Sequence, residues 1–292
     1  MSTTAKTFPV WAFFLLATNG ILMLAVILLL WQQQRLTAFS SNPPSQLPEK
    51  QPQAVKPELG PRHQLNYQKW LEILEQEAKI AADQRPPKLT ILAGDSLSLW
   101  FPVELLPKDR NWLNQGISGE TSNGLLKRLN LFDNTQPETI FVMIGINDLI
   151  RGVSEQVILD NQRQILSYLR RTHPQAKIFV QSILPHGGET ATWEGREKLL
   201  AIPNSRIQQL NEQLKSIAAK QGVEYLDLYS LFVNQQGNLR QELTTDGLHL
   251  NPAGYLVWRT ALQIYQQRIG TGDKSIQNSK YPTGRQAYKI QN

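Results

Sequence analysis

A chain of 292 residues that is 41% hydrophobic carries enough apolar side chains for a substantial core, which excludes wholesale disorder. Its 30 Lys and Arg against 24 Asp and Glu leave a net charge of +6, spread without any run of five basic residues, so the concentrated basic stripe of a nucleic-acid-binding face is missing. Cysteine is absent, which excludes disulfide staples, thiolate zinc sites and a cysteine nucleophile.

Val10 to Trp31 is one apolar run, interrupted only by Thr18, Asn19 and Gly20. At about 1.5 Å per residue a helix of this length covers roughly 30 Å, the thickness of a hydrocarbon core. Trp11 and Trp31 stand at its ends, where amphipathic rings favour the headgroup region. The run is longer than the apolar part of a cleaved signal peptide, and Ala38-Phe39-Ser40 is a poor cleavage site. Residues 1–39 are therefore expected to hold an uncleaved membrane anchor, a transmembrane helix over about 10–31 that makes this a single-pass membrane protein. Lys6 and the α-amino group flank one side and Arg35 the other, a bias that favours a cytoplasmic N-terminus and an exported, extracytoplasmic (periplasmic) remainder. Residues 40–62 are rich in Pro, Gln and Ser and read as an extended linker. Residues 271–292 are polar, basic and aperiodic, and are expected to be a disordered tail. The globular domain is expected over 63–270.

Within it, a helix near Leu65 to Ala82 precedes five short apolar runs at Leu89–Ala93, Trp112–Gln115, Thr139–Ile144, Ile178–Ile183 and Val223–Leu228. Several are apolar on both faces, which suits parallel strands covered by helices. Helical spacing separates them: Val157, Ile158, Ile165, Leu166 and Leu169 mark one helix, and Ile207, Leu210, Leu214 and Ile217 another. Asn251-Pro252 opens the last with a capping residue followed by proline at the first helical position. The pattern predicts an α/β fold, a three-layer α/β/α sandwich around a five-stranded parallel sheet.

Ligands of such sheets bind beyond the carboxyl ends of the strands. The segments found there are Gly94-Asp95-Ser96, then Gly116 to Thr121, then Gly145-Ile146-Asn147-Asp148, and last Asp246-Gly247-Leu248-His249. Singly, each has a plain structural use: Ser96 as a helix cap, Gly119 as a turn glycine, Asn147 and Asp148 as capping residues. Together they are the set that acyl transfer needs. A serine hydroxyl attacks only beside a base such as His249, that imidazole needs an acceptor such as Asp246 to fix its tautomer, and the tetrahedral oxyanion needs preorganised donors. The N–H groups of Ser96 and Gly119 and the side-chain amide of Asn147 would supply three. His186, on the loop after the fourth strand, and Trp193, in the polar segment Glu189 to Lys198, are candidates for lining the substrate pocket. Trp100 and Phe101 could shorten it.

These four blocks, in this order, resemble the SGNH hydrolase superfamily, the GDSL-type esterases and lipases, over roughly Leu89 to Leu262. Ser96, Gly119, Asn147 and His249 match the four residues of that name, with Asp246 as the third triad member. The resemblance implies a flavodoxin-like sandwich and metal-free, cofactor-free hydrolysis of esters or thioesters through an acyl-serine intermediate. Expected substrates are a small-molecule ester, a lipid or an acetylated glycan. An acyltransferase and a non-catalytic binding module on the same fold are the alternatives. A nucleotide site is disfavoured, because the P-loop-like spacing Gly119 to Gly124 runs into Leu125-Leu126 where Lys-Ser/Thr is required. Metal-dependent hydrolysis by Asp95, Asp148, Asp246 and His249 lacks a second histidine at ligand spacing. Oligomeric state is not legible in the sequence.

Overall fold

A computed structural model of the chain describes residues 66–270. The expected anchor over 10–31, the linker at 40–62 and the tail at 271–292 lie outside the described residues. Among those residues no helix is long and apolar enough to cross a membrane.

Helices and strands interleave along the described residues. Helix α1 (Tyr67–Gln84) leads into β1 (Leu89–Gly94), the short α2 (Ser96–Leu99), β2 (Asn111–Gly116), α3 (Ser122–Lys127), β3 (Thr139–Met143) and α4 (Ile146–Ile150). Then come α5 (Glu155–Thr172), β4 (Lys177–Gln181), α6 (Arg196–Leu200), α7 (Asn204–Gln221), β5 (Glu224–Leu226), α8 (Tyr229–Phe232) and α9 (Pro252–Gly270). All strand pairs are parallel, in the order β2-β1-β3-β4-β5. This is the flavodoxin-like doubly wound order, with its topological switch between β1 and β3.

Side chains of a strand alternate between faces, and here both faces are dry. Ile91, Ala93, Ile140, Val142, Ile178 and Val180 point to one side, where they pack with α1, α5 and α7. Leu92, Phe141, Phe179 and Leu226 point to the other, packed against Leu97 of α2, Phe232 of α8 and Tyr255, Trp258 and Leu262 of α9. Trp258 is wholly buried, and its indole N–H donates to Gln181 Oε1 at 2.7 Å, so a large ring enters the core without leaving a polar atom unpaired.

Strand β3 ends one residue, and β4 and β5 two residues, before the apolar runs do. Asn211 brackets Ile183, its Oδ1 accepting from the Ile183 N–H and its Nδ2 donating to the Ile183 carbonyl, both at 2.8 Å. A side-chain amide thus replaces the strand partner. The Ser182 hydroxyl accepts from the N–H groups of Leu228 (2.9 Å) and Tyr229 (2.7 Å), which turns the chain out of β5. Val157, counted in the apolar stripe of α5, is 46% exposed and lies outside the buried face. Asn251 caps α9 as expected, its Oδ1 accepting from the Gly254 N–H at 3.0 Å.

Candidate active site

Strand β1 ends at Gly94, and Asp95 caps the next helix by accepting from the Leu97 N–H at 3.0 Å. Burial pushes the Asp95 carboxyl up to about 7, against the pull of that hydrogen bond. Ser96 is the first residue of α2, so its N–H is one of the first-turn donors with no partner inside the helix. The residue is 6% exposed.

Beside it, the chain leaves β2 through Ile117, whose N–H donates to the Gly94 carbonyl at 3.2 Å. The Ser118-Gly119 turn closes with the Glu120 N–H on the Ile117 carbonyl, also at 3.2 Å. Gly119 sits at φ +72°, a left-handed conformation that favours glycine. Its N–H has no hydrogen-bond partner among the described residues, while its carbonyl accepts from Arg151 Nη2 at 2.7 Å.

Asn147 lies in the first turn of α4, and its Nδ2 is buried with no hydrogen-bond partner among the described residues. The adjacent Asp148 ties this helix to the Gly119 segment: its carboxylate accepts from the Ser122 N–H (2.8 Å) and the Ser122 hydroxyl (2.6 Å). Asn161 Nδ2 adds a bond to the same hydroxyl oxygen at 2.9 Å. Burial raises the Asp148 pKa, and the two Ser122 bonds pull against it. Beneath these loops a buried ion pair joins Arg128 Nε to Glu120 Oε2 at 2.9 Å, with the side chains 2% and 5% exposed. Arg128 Nη2 also reaches the Gly94 carbonyl at 3.2 Å, two residues before Ser96.

The Asp246–His249 loop is self-organised. Asp246 Oδ1 accepts from the N–H groups of Leu248 (2.9 Å) and His249 (2.8 Å), and Oδ2 meets His249 Nδ1 at 2.7 Å. A carboxylate only accepts, so Nδ1 carries a proton, and in the neutral ring this tautomer leaves the Nε2 lone pair free. Partial burial alone would raise Asp246; the bonds from His249 and Leu248 outweigh it and hold the carboxyl below its ordinary range. Gly247, at φ +87°, lets the loop back onto the segment after β4, where a Cβ would stand 2.6 Å from Ala191 Cα.

The structure brings the four blocks to one edge of the sheet, flanking the switch point. The rings of Trp100, at the end of α2, and His249 lie 4.4 Å apart between centroids. Tyr255 donates its hydroxyl to the Leu97 carbonyl at 3.1 Å, binding the helix after His249 to the helix that Ser96 opens. Leu248, Leu97, Asp95 and Ile146 share a void of about 10 Å³. The Asp246–His249 bond is formed, whereas neither Ser96 Oγ nor His249 Nε2 has a hydrogen-bond partner among the described residues. Such bonds are often open in a ligand-free site and tighten around substrate.

His186 corrects its expected place in the pocket wall. Its Nδ1 accepts from the Gly188 N–H (3.0 Å) and its Nε2–H donates to the Ile202 carbonyl (2.6 Å), so both ring nitrogens are engaged and the ring is buried. Burial draws its pKa down, with the Ile202 bond opposing, which favours the neutral ring. His186 shapes the loop instead of facing a ligand. Trp193 is half-buried beside the acid: the N–H groups of Thr192 (2.8 Å) and Trp193 (2.9 Å) both donate to the Asp246 carbonyl. Trp100, 46% exposed, leans against the imidazole with the two ring planes tilted by 48°. The supporting residues Ser122, Asp148, Arg151, Glu120 and Arg128 were not singled out as a network by sequence reasoning, because their partners lie 8 to 34 positions away. Among the described residues, no group of three or more His, Asp or Glu is arranged to hold a metal ion.

Fold and site together define a doubly wound α/β protein with a serine, an Asp-bound histidine and unmatched N–H donors at the switch point. The chain belongs to the GDSL-like lipase/acylhydrolase family, whose model matches residues 90–257. It is 28% identical over 184 residues to platelet-activating factor acetylhydrolase IB subunit alpha2 of Homo sapiens, covering 59% of this chain and 72% of that protein. It is 26% identical over 181 residues to N-acylneuraminate cytidylyltransferase of Streptococcus agalactiae, covering 62% of this chain but only 39% of the length of that relative. A solved structure from Streptococcus pneumonia, provisionally named a platelet activating factor, superposes with a TM-score of 0.61 at 28% identity, over 68% of this chain and 93% of that one. A GDSL-like lipase from Bacteroides thetaiotaomicron, at 19% identity and TM-score 0.56 over 68% and 99% of the two chains, shares the fold.

Proposed function

We propose that the domain is a serine ester hydrolase for short acyl groups. Ser96 Oγ attacks the ester carbonyl while His249 Nε2 takes its proton, and Asp246 holds the imidazole in the required tautomer and balances its charge. The N–H groups of Ser96 and Gly119 and the Asn147 amide receive the oxyanion. As the tetrahedral intermediate collapses, the protonated imidazole returns its proton to the departing alcohol and Ser96 is left acylated. Water then attacks the acyl-serine by the same route in reverse, releasing the acid.

The observation that carries this reading is the buried Nδ2 of Asn147 with no partner among the described residues. An unmatched buried donor costs about 1–3 kcal/mol, and a site for incoming negative charge explains why the fold keeps it. The 28%-identical relative named platelet-activating factor acetylhydrolase supports acetyl-sized groups over long chains. The apolar run over residues 10–31 and the linker at 40–62 support a tethered enzyme with its domain on the extracytoplasmic side of a membrane. Ser96→Ala should abolish turnover of an aryl acetate with the thermal midpoint unchanged; undiminished turnover in that variant would refute the assignment.

A further inference from the structure

Arg151 closes α4, four residues after Asn147, and its guanidinium leans across the Gly119 turn. Nη2 donates to the Gly119 carbonyl at 2.7 Å and lies 3.6 Å from where a Cβ on that glycine would stand. The residue is exposed and forms no salt bridge among the described residues. Arg85, Arg170, Arg171 and Arg259 also lack a salt bridge among the described residues, but among these unpaired arginines Arg151 alone is hydrogen-bonded to a residue of the site, the Gly119 carbonyl. The acids nearest in sequence are already engaged. Asp148 is bonded to Ser122, and Glu155, at the start of the next helix, is held by Arg206 at 2.7 Å. One guanidinium edge therefore orients the turn, while Nε and Nη1 make no hydrogen bond among the described residues. A planar cation with free donors in a fixed orientation is suited to bind a carboxylate or phosphate through two parallel hydrogen bonds.

We propose that Arg151 is a specificity-determining residue that selects esters whose alcohol portion carries an anionic group, a carboxylate or a phosphate. This rests on the serine-hydrolase reading and adds to it the substrate's charge. The anion belongs on the alcohol side, because a short acyl group such as acetyl has no position that can carry a charge. A neutral leaving group would leave the guanidinium hydrated and contribute nothing to binding at this point.

The test uses the full-length chain in a non-ionic detergent with two matched pairs of acetate esters. One pair is an O-acetylated sugar acid and its methyl ester; the other is an acetylated glycerophosphodiester and the corresponding neutral acetylglycerol. In the wild type, kcat/KM should favour one anionic member over its neutral twin by about tenfold to a hundredfold, the range for one charge-assisted hydrogen bond. The pair that shows the preference identifies the anion as a sugar-acid carboxylate or a lipid-type phosphodiester. Arg151→Gln should bring that ratio close to one, Arg151→Lys should retain part of it, and added salt should shrink it. Equal losses on both members of a pair would overturn the proposal and reduce Arg151 to a support for Gly119. A wild-type ratio of one in both pairs would overturn it too, while turnover of the neutral esters that is lost in Ser96→Ala would leave the hydrolase reading standing. Absence of any turnover by the wild type would sink both.

Discussion

Replacing Arg128 by methionine tests whether the ion pair under the site holds the nucleophile loop in place. Glu120 accepts from Arg128 Nε (2.9 Å), the Tyr67 hydroxyl (3.1 Å) and the Thr121 N–H (3.0 Å), and Arg128 Nη2 reaches the Gly94 carbonyl (3.2 Å). Burial pulls the arginine below its ordinary pKa and the Glu120 charge counters that pull. With both side chains at 5% exposure or less, removing the arginine strands a buried carboxylate, which typically costs about 3–5 kcal/mol. For a domain of this size each kcal/mol moves the thermal midpoint by about 2–4 °C, so Arg128→Met should lower it by about 6–20 °C. Removing both charges in Arg128→Met with Glu120→Gln should recover much of the loss. Lys69→Ala, which breaks a surface pair with side chains 59% and 44% exposed, supplies the control and should cost less than about 1 kcal/mol. Urea unfolding followed by tryptophan fluorescence reads all three variants. The reasoning fails if Arg128→Met costs no more than Lys69→Ala.

Asn147→Ala should lower kcat on an aryl acetate by about 10²–10³ with little change in KM, the loss expected for one oxyanion donor; a change confined to KM would make Asn147 a substrate-binding residue only. Asp95 gives a pH prediction. Its folded-state value of about 7 lies above the ordinary 3.8, so the folded form binds the proton more tightly and its contribution is full below about pH 4. That contribution is lost as pH rises from about 4 to about 7. Asp95→Asn keeps an acceptor for the Leu97 N–H and should flatten the stability profile across that window; an unchanged profile in chemical denaturation would show that Asp95 does not titrate there.

The periodic elements were legible because burial alone dictates them. The run Ile140 to Ile144 is apolar on both faces and lies in a sheet covered on both sides. Chemistry-bearing residues were legible where they sit directly after strands, at positions the topology must bring together. The ends of β4 and β5 were not, because Asn211 and Ser182 set them from 28 and 46 positions away. His186 misled for the same reason: its position at a strand end suggests a pocket, while Ile202 and Gly188 take both nitrogens. Nothing in the sequence marks Arg151, Glu120 and Arg128 as supports of the site. Only folding places Arg151 against the Gly119 carbonyl, and Arg128, paired with Glu120, against the Gly94 carbonyl.

Intact-protein mass spectrometry after a brief exposure to an aryl acetate, followed by peptide mapping, addresses the acyl-serine directly. One acetyl group should appear per chain, on the peptide containing Ser96, and it should accumulate when the His249→Ala variant is given a highly activated ester and cannot release it. A protein that turns the ester over while Ser96 stays unmodified in every such trap, or that carries the label on another residue, would contradict the account.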